Sequence, residues 1–159
     1  MRNDSTIVRS LLLGATAGMR SMAAVAAVSR ALAERQDRTH GRLQRGLARA
    51  GIARALTTFA VGELAADKMP FMPSRIEPLP LAGRIGAGAL AAAVATTSEE
   101  RSRMRAAFVG ALAAAATSYL AWRLRVTLHR EGAPDTLVAL AEDVTMIEAA
   151  RQGVAAMRV

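Results

Sequence analysis

The sequence predicts an all-α fold: a multi-spanning helical membrane bundle with three clear spans and two polar or partly buried helices. Three observations predict it. Apolar residues make up 52% of the chain while aromatic residues make up only 3%. Alanine- and glycine-rich runs with few charges recur, and Ala106–Trp122 carries no charged residue at all. Between two such apolar halves stands one dense polar stretch, Gly62–Arg84, with four of the five prolines. A soluble core draws much of its buried area from aromatic side chains, so their scarcity weighs against a water-soluble globule.

At 159 residues the chain reads as a single membrane domain over 1–159. Cysteine is absent, which removes disulfides, thiolate metal sites and a cysteine nucleophile. His40 and His129 are far apart and form no metal spacing. The net charge of +8 suggests nucleic acid or anionic lipid as a partner.

In chain order, Ser10–Ser29 is the first span, apolar except for Arg20. It is long enough for a bilayer core, which needs roughly 20 residues. Its apolar pattern continues past Arg20 to Val28, which disfavours a cleaved signal peptide. Gly14 and Gly18 form GxxxG, a face on which another helix packs closely.

Arg30–Arg54 is a basic block with seven arginines against Glu34 and Asp37. No aromatic residue is interleaved for base stacking. The block therefore reads as a cytoplasmic loop rather than a specific nucleic-acid site. Ala55–Met69 is a helix, apolar first, then carrying Glu63, Asp67 and Lys68. Leu81–Ser98 is the second span, broken only by Arg84 near its start. Glu99–Arg105 is a charged turn, and Ala106–Trp122 is the third span, with Tyr119 and Trp122 at its end where interfacial aromatics belong. The last helix starts after Pro134 with Asp135 or Thr136 as its cap and carries Glu142, Asp143 and Glu148. The positive-inside rule places the basic block and the Arg101–Arg105 turn in the cytoplasm and leaves the amino terminus outside. Arg123, Arg125 and Arg130 then fall outside, against that rule.

The central stretch makes local demands. Glu63 and Asp67 are four apart and share one helix face, where like charges repel unless compensated. Pro70 ends that helix. Pro73, Pro78 and Pro80 keep the following segment extended and stiff until a new helix starts near Leu81. There is also an internal echo: Leu64-Ala65-Ala66-Asp67 matches Leu140-Ala141-Glu142-Asp143. Each lies in a helix that follows an apolar span, and one span separates the two pairs, the arrangement of an inverted repeat.

Four motifs stand together in this frame: GMRS at Gly18–Ser21, GELAADKMPFMPSR at Gly62–Arg75, LAGR at Leu81–Arg84 and AEDV at Ala141–Val144. With the Gly-Ala-rich spans, this set resembles a family of small bacterial integral membrane proteins catalogued as domain of unknown function 4126. The resemblance implies a location in the cell's inner membrane and marks the motif residues, but it supplies no mechanism.

In a bilayer Arg20 lies near the middle of its span. A charge at that depth costs about 2.5–3.5 kcal/mol on insertion scales, so Arg20 needs an acidic partner from Glu63, Asp67, Glu142 and Asp143. The candidate polar cluster is Arg20, Ser21, Glu63, Asp67, Lys68, Arg75, Arg84, Glu142 and Asp143, with Gly14 and Gly18 for helix packing and Pro70 and Pro73 at the turn. Intramembrane ionisable residues point to function by default. The expected function is a small permease or channel for an ion or small polar solute. The alternative is a membrane scaffold or assembly protein whose charges serve packing alone. No Gly-rich phosphate loop, GxSxG, HExxH or histidine triad is present, so no enzyme, cofactor or metal is expected. The expected partners are the lipid bilayer, the solute and a further copy of the chain.

Overall fold

The computed structural model describes residues 2–35, 41–66, 77–96, 100–132 and 134–158. Among them every regular element is helical. The helices are α1 (Arg2–Met19), α2 (Ser21–Ala33), α3 (Arg42–Leu47), α4 (Ala50–Ala66), α5 (Pro78–Ala95), α6 (Glu100–Arg130) and α7 (Asp135–Ala155), followed by a 3-10 turn at Ala156–Arg158. Two of them, α5 and α6, are long and apolar enough to cross a membrane. At 1.5 Å per residue α6 is about 46 Å long.

Several boundaries differ from the sequence reading. The charged residues Arg101–Arg105 are not a turn but the first turns of α6; arginine is a good helix former, and nothing there breaks the pattern. The basic block is part helix, in α3 and α4, for the same reason. Helix α5 begins at Pro78, not near Leu81. A first helical turn needs no intrahelical N–H partners, so Pro78 and Pro80 are accommodated there. Helix α7 begins after Pro134 and has no side-chain cap.

The first span is the main departure. Ser10–Ser29 is two helices, parted at Arg20, which is extended (φ −148°, ψ 113°). The two halves fold back on each other. Arg9 of α1 donates to the Ala156 carbonyl at 3.4 Å, and Arg35, just past α2, donates to the neighbouring Met157 carbonyl at 3.3 Å. In one straight helix Arg9 and Arg35 would stand about 39 Å apart, a distance two arginine side chains cannot bridge. So α1 and α2 form a helical hairpin with Arg20 at its tip.

This reversal rearranges the ends. Arg9 also meets the Thr96 hydroxyl at the end of α5 (3.3 Å), Gln44 of α3 donates to the Val94 carbonyl (2.8 Å), and Thr6 and Ile7 lie beside Arg101 and Arg105. The start of α1, helix α3, the end of α5, the start of α6 and the end of α7 thus share one arginine-rich end. The amino-terminal helix begins beside the Arg101–Arg105 segment, not on the opposite side as the sequence suggested. The reason is that the first apolar segment folds back at Arg20 instead of continuing as one helix.

Helices α1, α5 and α6 pack through small residues. A Cβ on Gly14 or on Gly88 would fall on the Gly110 carbonyl oxygen, and one on Gly18 on that of Ala114. The absent side chains are what let these backbones touch. The buried face of α6 is Ala106, Gly110, Ala114, Ser118 and Ala121. Its large apolar residues, Met104, Phe108, Leu112, Leu120 and Leu124, are exposed. Leu140, Val144 and Ile147 of α7 are exposed likewise. Helix α4 runs against α2 and α7 runs along it, since Glu63 and Asp143 meet the tip while Ala53 and Met157 lie near the far end of α2.

Candidate functional site

The break between α1 and α2 leaves two sets of unpaired backbone groups: carbonyls at the end of α1 and N–H groups at the start of α2. Side chains from three other helices meet them. Arg84 of α5 donates through Nη1 to the carbonyls of Gly18 (2.8 Å) and Met19 (2.6 Å). The Ser118 hydroxyl of α6 lies 3.0 Å from the same Gly18 oxygen. Opposite them, the Glu63 carboxylate of α4 accepts from the Ser21 N–H (3.0 Å), the Ser21 hydroxyl (2.7 Å) and the Met22 N–H (2.9 Å). A cation at a helix carboxyl end and an anion at a helix amino end both oppose the helix dipole.

Arg20 sits between the two ends and is 3% exposed. Its guanidinium donates to Asp143 Oδ1 of α7 from Nη2 at 2.7 Å and from Nε at 3.1 Å. Of the acids proposed for it, Asp143 is the ion-pair partner among the described residues. Glu63 caps α2 instead. Glu142, the neighbour of Asp143, turns to α6 and binds Arg125 at 2.9 Å. Successive residues on a helix point about 100° apart, so these two acids serve two different helices. Around the tip, Arg20 and Arg84 stand with Glu63 and Asp143, and their formal charges cancel.

A groove runs along α2 on the side of the cluster. Helices α4 and α7 flank α2 and leave a space of about 620 Å³ between them, lined by Ala23, Ala27 and Arg30 of α2, Thr57 and Ala60 of α4, and Met146 of α7. Three positions on from Ala60 in α4 stands Glu63, three positions before Met146 in α7 stands Asp143, and Ala23 follows Met22, whose N–H Glu63 holds. A second space of about 580 Å³ adjoins at Arg30 and Glu34 and extends to Arg54. The groove therefore has an arginine-bearing mouth and ends, among the described residues, at Ala23, Ala60 and Met146, short of the charged tip.

Of the residues singled out in the sequence, the fold brings Arg20, Ser21, Glu63, Arg84 and Asp143 to one site. Gly14 and Gly18 lie on the α6 contact, and Glu142 is set aside with Arg125. Asp67, Lys68, Pro70, Pro73 and Arg75 lie outside the described residues. Ser118, Gly88, Gly110 and Arg125 were missed. The four-residue rhythm Ala106, Gly110, Ala114, Ser118 is a signal that could have found the packing face, but nothing in it marks Ser118 as a carbonyl partner. Among the described residues no group of three or more histidine, cysteine, aspartate or glutamate side chains is placed to hold a metal.

Comparison with known families matches residues 7–152 to the family described as Domain of unknown function (DUF4126). The chain belongs to this family. All four motifs of the sequence resemblance fall inside the matched range. No curated protein and no solved structure matches the chain.

Proposed function

We propose that this chain is a multi-pass protein of a bacterial inner membrane that passes a small polar solute along the α2 groove to the charged tip. In this reading α5 and α6 cross the bilayer, and the α1–α2 hairpin enters from the arginine-rich side and returns to it. The exposure pattern of α6 supports the membrane setting. Water would bury Phe108, Leu112 and Leu120. Lipid leaves them outside and lets small residues take the helix contacts. The arginine-rich end then faces the cytoplasm.

The observation that carries the permease reading is the broken helix together with an open groove along its second half. Non-helical backbone at membrane depth is tolerated where it is buried in protein or lines a wet cavity, and half-helix ends are where transporters hold their solutes. The groove volume of about 620 Å³ suits a small ligand. Its walls and mouth bear Arg30 and Arg54 against Glu34, with Arg151 paired to Glu148 at 3.6 Å, and the remaining positive charge favours entry of an anion. Helices α4 and α7 run in opposite directions and each brings an acid to the tip, which supports the inverted relation suggested by the internal echo.

The scaffold reading is favoured by a different observation: Glu63 and Arg84 already occupy both helix ends. Flux into proteoliposomes with small anions, cations and zwitterions separates the two. Saturable uptake of an anion that is lost in Arg30→Ala supports transport. No uptake of any solute by folded, monodisperse protein supports the scaffold.

A further inference from the structure

We infer that the cleft between α1 and α6 at the arginine-rich end binds an anionic phospholipid, an inference that rests on the membrane reading above. The cleft has a volume of about 490 Å³. Its polar part is Arg101, Ser102 and Arg105, and its apolar part includes Ile7, Met104 and Phe108. Arg101, Arg105 and Phe108 follow at four and three positions on α6, so they lie along one stripe. From Arg101 to Phe108 the helix rises about 10 Å. Charge therefore gives way to apolar surface along the direction in which a lipid headgroup gives way to its acyl chains.

Charge complementarity selects the occupant. Among the described residues no carboxylate lines the cleft, and neither Arg101 nor Arg105 has an ion-pair partner. Glu100 lines the cleft on the other side of α6, with Arg42 and Arg103. Guanidinium groups match a phosphodiester in charge and in planar geometry. Basic pockets between helices on the cytoplasmic side bind such headgroups. Phe108 and Met104 are 66% and 68% exposed, and acyl chains would cover them. A phosphatidylcholine offers the same chains but cancels the charge with its ammonium. Free glycerol phosphate offers the charge without the chains.

The test uses the full chain purified in a non-ionic detergent, with lipid adducts counted by native mass spectrometry during titration with phosphatidylglycerol or phosphatidylcholine. Phosphatidylglycerol is expected to bind preferentially. Each arginine near a membrane surface is worth about five-fold in anionic-lipid affinity, so Arg101→Gln with Arg105→Gln should reduce binding by more than ten-fold. Arg101→Lys with Arg105→Lys should retain most of it, which guards against misfolding as the cause. Arg103→Gln with Arg130→Gln removes the same charge elsewhere and should leave binding unchanged. Equal binding of the two lipids, retained preference in the double glutamine variant, or full competition by glycerol phosphate would overturn the site. Fractionation reports separately on the membrane reading: recovery in the soluble fraction without detergent ends that reading. The site would then stand only if the soluble protein sediments with phosphatidylglycerol vesicles through the same two arginines.

Discussion

Arg20 Nη2 and Asp143 Oδ1 lie 2.7 Å apart although 123 positions of chain separate them. The pair joins the tip of the α1–α2 hairpin to the middle of α7. It places the one extended residue between two helices under the control of a third.

An arginine cannot shed its proton to escape burial. Removing either partner should therefore leave a buried charge less well compensated, at a cost of up to about 3–5 kcal/mol. Arg20→Ala and Asp143→Asn are each expected to lower the melting temperature of the detergent-purified protein, and the double variant should lose less than their sum. Arg20→Ala with Glu142→Gln should be additive, since Glu142 serves Arg125. Additivity in the Asp143 cycle would contradict the pairing.

Glu63 takes three hydrogen bonds at the start of α2. Glu63→Gln puts an amide donor where the carboxylate accepts, and the loss of such a cap costs about 0.5–2 kcal/mol. Hydrogen exchange at the Ser21 and Met22 amides should accelerate in this variant while the amides of α6 keep their protection. Unchanged exchange at those two positions would mean that the cap is not formed.

The glycines divide into two groups. Gly14, Gly88 and Gly110 have a neighbouring backbone or alanine where a Cβ would sit, whereas Gly83 and Gly86 face open space. Gly110→Ala should force α5 away and cost about 1–3 kcal/mol. Gly86→Ala should be neutral or stabilise by up to about 1 kcal/mol, the ordinary gain in a helix interior. Thermal denaturation of the two variants side by side checks the contrast, and equal effects would argue against the close contact.

Since the chain has no cysteine, single cysteines report sidedness cleanly. Ser5→Cys, Gly41→Cys and Arg103→Cys should react with an impermeant maleimide from one face of a sealed vesicle. Leu79→Cys and Glu131→Cys should react from the other. Labelling of Ser5→Cys and Gly41→Cys from opposite faces would mean that the first apolar segment crosses rather than folds back.

Much of the site was legible before folding. Arg20 stands out because a charge interrupts an apolar run, and Glu63, Arg84 and Asp143 stand out because each is an ionisable residue in a helix otherwise rich in alanine. Their assignment was not legible. Four acids were available to Arg20, and nothing local distinguishes Asp143 from Glu142. Which one faces the hairpin depends on the rotation of α7 about its axis, and rotation is set by packing against other helices. The small-residue stripe of α6 went unread in the sequence, and its partners, Gly14 and Gly88, lie on two other helices.

The sequence by itself determined the helical class, the two long apolar helices, the family and the identity of the charged residues. These follow from composition, periodicity and motif, which act over a few turns of chain. Only the tertiary structure decided that Ser10–Ser29 is a hairpin and not a span. Locally, Arg20 is compatible with an unbroken helix. The reversal becomes favourable because Arg84, Ser118 and Glu63 satisfy the backbone groups it exposes, and because Arg9 and Arg35 both find carbonyls at the end of α7. Those partners come from separate elements, and their convergence is written in no single stretch of the chain.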